Sequence, residues 1–152
     1  MSKGSSVSDY FKITVPYYIP IAIMGIFVGI ATSGGVFNYS VLFSFVSVTA
    51  LIAAFNTFNG VTDFKVDLIN KPKRPIPAGL ITRNTAAVYA SILYIVSLST
   101  AYQITAQFFQ LTVLTSFITF MYSFPLTSLR KKFLVSNLCG AVIYGLLCPL
   151  MG

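Results

Sequence analysis

Apolar residues in this chain are gathered into five long stretches that short polar segments separate. The stretches cover residues 13–32, 39–58, 86–104, 108–125 and 137–152, and none of them contains a charged side chain. Because the hydrocarbon core of a bilayer is about 30 Å thick, a spanning helix needs about 20 mostly apolar residues. The pattern therefore predicts an all-α membrane protein, a single domain of five transmembrane helices.

Composition argues against the main alternative, a soluble globular domain. Of the 152 residues, 56% are hydrophobic and only 9% are charged, and the mean hydropathy is +0.83. A soluble fold of this size would leave too much apolar surface in water. The fifth stretch is the shortest and ends in an apolar run without a polar anchor, so we expect a truncated chain.

The ten Lys and Arg residues predict how the helices are oriented. They precede the first stretch or lie between the second and third and between the fourth and fifth stretches. With five crossings, all of them fall on the side of the N-terminus, which the positive-inside rule makes cytoplasmic. Cationic loops beside anionic headgroups account for the net charge of +7, so we expect no nucleic-acid partner.

Two of the three acidic residues, Asp63 and Asp67, lie together after the second stretch. If the second helix continues past Phe58, residues four apart differ in direction by only about 40°, and Asn59, Asp63 and Asp67 form one stripe. The two carboxylates repel each other unless a cation lies between them. Oxygen ligands without His or Cys are typical of Mg²⁺, which takes one or two carboxylates together with water and substrate phosphate. We therefore predict a Mg²⁺ site here.

Cationic residues follow the acidic pair directly. Arg74 can bind two phosphate oxygens at once, Lys71 and Lys73 add point charges, and three nearby prolines restrict the loop backbone. The segment therefore predicts a diphosphate-binding loop. The alternative interpretation is that the acids only solvate the end of the helix and that the lysines only follow membrane topology.

This segment, Asn59-x-x-x-Asp63-x-x-x-Asp67 followed by Asn-Lys-Pro-Lys-Arg-Pro-Ile-Pro-Ala-Gly at 70–79, resembles the first aspartate-rich motif of the UbiA superfamily of intramembrane prenyltransferases. The Met-Tyr-Ser-Phe-Pro run at 121–125, the basic turn at 130–132 and Asn137 are also similar to that family. The resemblance implies a nine-helix bundle around a lipid-facing cavity, of which this chain is roughly the N-terminal half. It also implies Mg²⁺-dependent transfer of an isoprenyl group from a prenyl diphosphate to a lipophilic acceptor within the membrane.

The resemblance assigns roles to individual residues. Asn59, Asp63 and Asp67 match the catalytic metal motif, and the expected diphosphate-binding residues are Lys71, Lys73, Arg74 and Lys131. Three departures stand out: Gly60 replaces an additional Asp, Val15-Pro16 replaces an Arg-Pro pair, and no acidic residue follows Asp67 to form the family's second motif. We therefore expect that further sequence or a second chain supplies a C-terminal half.

The acceptor and two other functions stay open at this stage. The Asn-Lys-Pro-x-Arg-Pro-Ile-Pro sequence is more similar to that of family members that prenylate glycerol phosphate lipids or chlorin carboxylates. This similarity favours geranylgeranyl diphosphate as the donor. The missing second motif allows a catalytically inactive fragment or remnant of such an enzyme. Acidic residues near a membrane also allow a cation-coupled transporter subunit in which Asp63 and Asp67 bind the ion.

Overall fold

The computed structural model describes residues 5–35, 38–124, 141–147 and 150, and in this part of the chain the secondary structure is helical. The α-helices are α1 (Val7–Ile13), α2 (Ile19–Ser33), α3 (Tyr39–Thr62), α4 (Phe64–Asn70), α5 (Arg83–Tyr102) and α6 (Ala106–Ser123). A 3₁₀ turn, Pro16–Tyr18, leads into α2, and a short π-helical segment covers Ala141–Leu147.

Polar side chains mark where three of the four long helices, α3, α5 and α6, begin. A side-chain oxygen of the residue before each helix accepts a hydrogen bond from a backbone N–H of the first turn, which satisfies a donor that has no partner within the helix. The capping residues are Asn38 for α3, Thr82 for α5 and Thr105 for α6. Helix α2 ends at Gly34, whose φ of 71° lies in the left-handed region that glycine adopts without strain.

Three helical segments are long and apolar enough to cross a membrane: Pro16–Ser33, Tyr39–Thr62 and Arg83–Tyr102. They correspond to the first three predicted spans. The first of them starts at Pro16 and not at residue 13, because the helical conformation is interrupted between α1 and the 3₁₀ turn. The fourth predicted span forms α6, which carries Gln107, Gln110 and a row of threonines and is not among these three. Half of the fifth, 137–152, lies outside the described residues, so the all-α prediction is confirmed but the count of five is not.

Helix α3 is the central helix of the described bundle. In its most apolar window 67% of the residues are buried, against 22% for each of the other two candidate spans. It packs against α2 and α6 and most extensively against α5. Because one helix contacts all its neighbours, the end of α3 is held in place by the whole bundle.

Small and hydroxylated side chains fill the contacts between these helices. The Ser47 Oγ on α3 donates a hydrogen bond to the Ser97 carbonyl on α5 over 2.9 Å, and both residues are fully buried. Tyr94 on α5 is hydrogen-bonded to Thr119 on α6 over 3.1 Å. In a bilayer, lipid tails are as apolar as leucine, so close packing of small residues and interhelical hydrogen bonds supply much of the association energy.

We predict that Ser47→Leu destabilises the bundle, because overpacking a filled site costs about 1–3 kcal/mol. Ser47→Ala should lose only about 0.6 kcal/mol, the average for an interhelical hydrogen bond in a membrane. Equilibrium unfolding in mixed micelles measures both. Ser91→Ala is the control, since that exposed hydroxyl donates only to Ala87 of its own helix; wild-type stability of Ser47→Leu would contradict the packing described.

Helix α1 is fixed at its beginning by Asp9. The carboxylate accepts hydrogen bonds from the Ser6 backbone N–H over 3.0 Å and from the Ser6 hydroxyl over 2.9 Å, and the Lys12 ammonium lies 3.9 Å away. The backbone and hydroxyl bonds from Ser6, with the nearby charge of Lys12, lower the pKa of the Asp9 carboxyl below its ordinary value of 3.8.

The lowered pKa of Asp9 predicts that α1 loses stability only in acid. A carboxyl group whose pKa is lower in the folded state stabilises that state fully above pH 3.8, and the contribution is lost as the pH falls through the folded-state pKa. Amide hydrogen exchange of α1 should therefore accelerate below about pH 4 in the wild type, after correction for intrinsic rates. Asp9→Asn should exchange faster already at neutral pH and lack this acid transition; an unchanged transition in the variant would refute the assignment.

Candidate active site

The three oxygen-bearing residues predicted to form a stripe, Asn59, Asp63 and Asp67, lie where α3 ends and α4 begins. Asp63 follows the last residue of α3 and precedes α4, with φ −84° and ψ 2°. Its N–H donates to the Asn59 carbonyl over 2.8 Å, and the Asp67 N–H donates to the Asp63 carbonyl over 2.8 Å. The backbone thus continues from Asn59 through Asp63 to Asp67 in steps of one helical turn, although the two helices are distinct.

Asp67 is the most buried acid of this junction, with 4% of its surface exposed. The Arg74 Nη1 donates a hydrogen bond to its Oδ2 over 2.8 Å, and about a third of the Arg74 side chain is exposed. A buried carboxylate needs a charged or hydrogen-bonding partner, since desolvation alone disfavours its charged form. The structure therefore pairs a residue predicted to bind metal with one predicted to bind diphosphate.

The basic loop after α4 is compactly folded. The Lys71 N–H donates to the Asp67 carbonyl over 2.8 Å, and the Arg74 N–H donates to the Lys71 carbonyl over 3.0 Å. Further along the loop, Ile76 and Ile81 are buried in a small apolar cluster with Ile13, Val61 and Ala86. The two isoleucines anchor the loop, so the cations at 71–74 extend from a fixed backbone.

Gly60 lies on α3 between the loop and the end of α1. A Cβ at this position would lie 3.6 Å from Ile76 Cδ1 and 4.0 Å from Ile13 Cγ1, which is ordinary van der Waals contact. A larger side chain would have to displace one of the two isoleucines. Three segments that are distant in sequence therefore meet beside the acidic junction.

Asn59 is held by a residue that the sequence-based site did not include. The Ser123 Oγ, at the end of α6, donates to the Asn59 Oδ1 over 3.1 Å. One turn earlier on α3, the Phe55 ring contacts the Tyr122 ring edge to face, with 5.6 Å between centroids. The sequence indicates Tyr122 and Ser123 only through the family resemblance. Their residue types do not predict which helix they contact.

The remaining predicted site residues are Lys71, Lys73 and Lys131. Lys71 and Lys73 are exposed on the loop, near Arg74, and Lys131 lies outside the described residues. Lys12, at the end of α1, lines the same depressions as Arg74 and was not among the predicted site residues. The cations of α1 and of the α4–α5 loop thus lie at one end of the helices, as the charge pattern suggested.

The donor set at the junction fits a hard divalent cation. Asn59, Asp63 and Asp67 offer amide and carboxylate oxygens, the ligand type that Mg²⁺ prefers. Among the described residues, no group of three or more His, Cys, Asp or Glu side chains could hold a metal ion. The Mg²⁺ site at the junction therefore stays a prediction from the donor chemistry of these three residues.

The fold and the junction define a class of protein, an all-helical membrane bundle with two acidic residues and a basic loop at one end of its central helix. Residues 19–152 match the UbiA prenyltransferase family, and the chain belongs to that family. Because the match covers most of the chain, it includes both the acidic junction and the basic loop.

Two relatives illustrate the likeness in sequence. A digeranylgeranylglyceryl phosphate synthase from Methanosphaera stadtmanae is 28% identical over 140 residues, which are 92% of this chain and 50% of that protein. The synthase of the same name from Methanoculleus marisnigri is 31% identical over 139 residues, 90% of this chain and 50% of its own length. The chain thus spans about half the length of the curated relatives it matches.

Two solved structures share the fold. One, from work on a digeranylgeranylglyceryl phosphate synthase in membranes, superposes with a TM-score of 0.87 at 24% identity and covers 95% of this chain and 51% of its own. The other, a UbiA homologue from Archaeoglobus fulgidus bound to DMAPP and Mg²⁺, has a TM-score of 0.80 at 19% identity, with coverages of 94% and 52%. At these identities the likeness establishes the fold.

We predict that Arg74→Ala destabilises the protein by up to about 3 kcal/mol, because it leaves the buried Asp67 carboxylate without its ion-pair partner. The double variant Asp67→Asn/Arg74→Ala should recover part of this loss, since the remaining amide is uncharged. Thermal unfolding in detergent compares the variants. Equal stability of Arg74→Ala and the wild type would show that the pair is not desolvated as described.

Proposed function

We propose that this chain forms the prenyl-diphosphate half of an intramembrane prenyltransferase. The reaction transfers an isoprenyl group from its diphosphate to a lipophilic acceptor, breaking the bond between the allylic carbon and the diphosphate oxygen. The single observation that carries the proposal is the acidic junction at 59–67, with a folded basic loop directly attached to it through the Asp67–Arg74 pair.

The chemistry requires that the leaving diphosphate be stabilised as negative charge develops on it. Fixed cations and hydrogen-bond donors do this best when they are already in place, because no reorganisation is then needed during the reaction. Lys71, Lys73 and Arg74 extend from a loop that Ile76 and Ile81 anchor, and the family resemblance adds Lys131. Their role here is to bind the diphosphate and to favour its departure.

Asn59, Asp63 and Asp67 are the residues that would hold Mg²⁺. When bound, the ion would neutralise part of the diphosphate charge. The relative from Archaeoglobus fulgidus, bound to DMAPP and Mg²⁺, supports this choice of ion and of substrate class. Ser123 would keep the Asn59 amide in a defined orientation, because its hydroxyl donates a hydrogen bond to the amide oxygen.

The acceptor that we favour is a glycerol phosphate lipid, and the donor geranylgeranyl diphosphate. Support comes from the loop sequence at 70–77 and from relatives named digeranylgeranylglyceryl phosphate synthase. The cytoplasmic placement of the N-terminus and of the site, which the charge distribution predicts, belongs to the same proposal.

A second candidate is that these residues have no activity without a C-terminal half. Two observations favour it: the chain spans about half of its relatives, and its described residues contain no acidic cluster besides the junction. Expressing the chain with and without the C-terminal half of a relative distinguishes the two, because only an incomplete site would gain activity from the added half.

We predict that Asp63→Asn in the full-length protein lowers Mg²⁺-dependent prenyl transfer by about 10²-fold or more, because the variant removes a negative charge that would bind the ion. Radiolabelled geranylgeranyl diphosphate and a glycerol phosphate lipid in nanodiscs provide the assay. Asn84→Ala, which removes an exposed amide at the beginning of α5, is the control and should leave turnover unchanged. Unchanged turnover in Asp63→Asn would overturn the proposal.

A further inference from the structure

A cationic groove lies beside the acidic junction and is distinct from it. The groove is open, has a volume of about 520 Å³, and is lined by Lys12, Tyr17, Asn70, Lys71, Pro72, Lys73, Arg74 and Pro75. Four of these eight residues are cationic and none is acidic. A separate cavity of about 20 Å³, which includes Asp67 and Gly60 in its lining, lies next to the same Lys12 and Arg74.

Lys12 reaches the groove from a different part of the chain than the other three cations. Its neighbour Ile13 is buried in the cluster with Ile76, and the Asn56 Nδ2 on α3 donates to the Thr14 carbonyl over 3.0 Å. These contacts attach the two residues that follow Lys12, Ile13 and Thr14, to the loop and to α3. The backbone position of Lys12 beside the loop is therefore determined by the fold.

The backbone just after this attachment is strained. Val15 has φ 53° and ψ 63°, the left-handed region, which costs a β-branched residue about 1–3 kcal/mol. The turn directs the chain into Pro16–Tyr18, so that Tyr17 lines the same groove as Lys12. Such strain persists only where surrounding contacts determine the conformation, and here it brings two polar side chains to one groove.

Electrostatics then indicates what the groove binds. Four like charges in one depression repel; Asp67 offsets the charge of Arg74, and Asp9, 3.9 Å from the Lys12 ammonium, offsets part of that charge. A compact anion with more than one charge removes the repulsion, and a phosphate group also accepts hydrogen bonds from ammonium, guanidinium, phenol and amide donors. The candidate span Pro16–Ser33 begins at the groove, so the anion is the head of a molecule whose tail lies in the membrane.

We propose that Lys12 completes a four-cation site, with Lys71, Lys73 and Arg74, that binds the phosphate head of a lipid substrate. The inference rests on the proposed function and deepens it, because it adds a residue from α1 to the substrate site. Two phosphate groups have this chemistry: the diphosphate of the prenyl donor and the phosphate of a glycerol phosphate acceptor.

The test compares Lys12→Gln with Lys65→Gln in the full-length protein, in nanodiscs of phosphatidylcholine. Lys65 is exposed on α4, carries the same charge and does not line the groove. Calorimetry with inorganic pyrophosphate and with inorganic phosphate should show an affinity about tenfold lower for Lys12→Gln and unchanged for Lys65→Gln. Lys12→Arg should retain most of the binding.

Kinetics with both substrates identifies which phosphate is bound. A higher KM for prenyl diphosphate alone assigns the groove to the donor, and a higher KM for the glycerol phosphate lipid alone assigns it to the acceptor. Wild-type affinity of Lys12→Gln for pyrophosphate, for phosphate and for both substrates overturns the inference, even if that variant binds anionic vesicles less well. Because the calorimetry needs no turnover, lower affinity in a protein without transferase activity would support the groove and refute the proposed function.

Discussion

The buried Asp67 carboxylate imposes the constraint on which the arrangement of this end of the bundle depends. A charge with so little exposure requires a partner, and the partner here is Arg74, seven residues further along the chain. To reach it, the chain must turn directly after α4, and the Lys71 N–H and the Arg74 N–H both bond within that turn. The loop is therefore folded back onto the helix that it leaves, and its other cations are placed as a consequence.

The constraint acts through α3, which is hydrogen-bonded to neighbouring segments. Ser47 and Asn56, on this helix, each donate a hydrogen bond to a backbone carbonyl of another segment, one in α5 and one between α1 and α2. In lipid, where apolar side chains gain little from leaving the solvent, such bonds and the close approach of small residues determine which helices associate. The same contacts that hold the bundle together thus determine where the acidic junction and Lys12 lie.

Much of the fold could be predicted from the sequence because hydropathy over a window of about 20 residues reports directly on the lipid environment. Helix α3 continues to Thr62, past the end of the 39–58 stretch, and α5 begins at Arg83, before the start of the 86–104 stretch, because Thr82 caps it there. Hydropathy reports less directly on the fourth stretch, because a row of buried threonines lowers the mean hydropathy of α6. Each of these hydroxyls donates a hydrogen bond to a carbonyl of its own helix. Windowed hydropathy counts such hydroxyls as polar even when the backbone satisfies them.

The site was predictable only as far as local spacing determines it. The backbone passes from Asn59 to Asp63 and from Asp63 to Asp67 in steps of one helical turn, and this spacing follows from residue numbers alone. The contacts of Asn59 with Ser123 and of α1 with α3 join residues far apart in the chain, and no periodicity reports on them. Composition also gave no reason to separate Lys12 from the other cations near the membrane.

Arg74 is the residue through which the two depressions are connected. It lines both the small cavity beside Asp67 and the open cationic groove, and its contact with Asp67 is made through Nη1. A guanidinium carries five N–H donors in one plane, so one side chain can satisfy a carboxylate and still present donors to a phosphate group. A lysine could not do both in a fixed geometry, because its single ammonium is a point charge on a flexible stem. The Asp67 carboxylate therefore fixes one part of the Arg74 guanidinium while the same side chain lines the groove, so the two depressions share this residue.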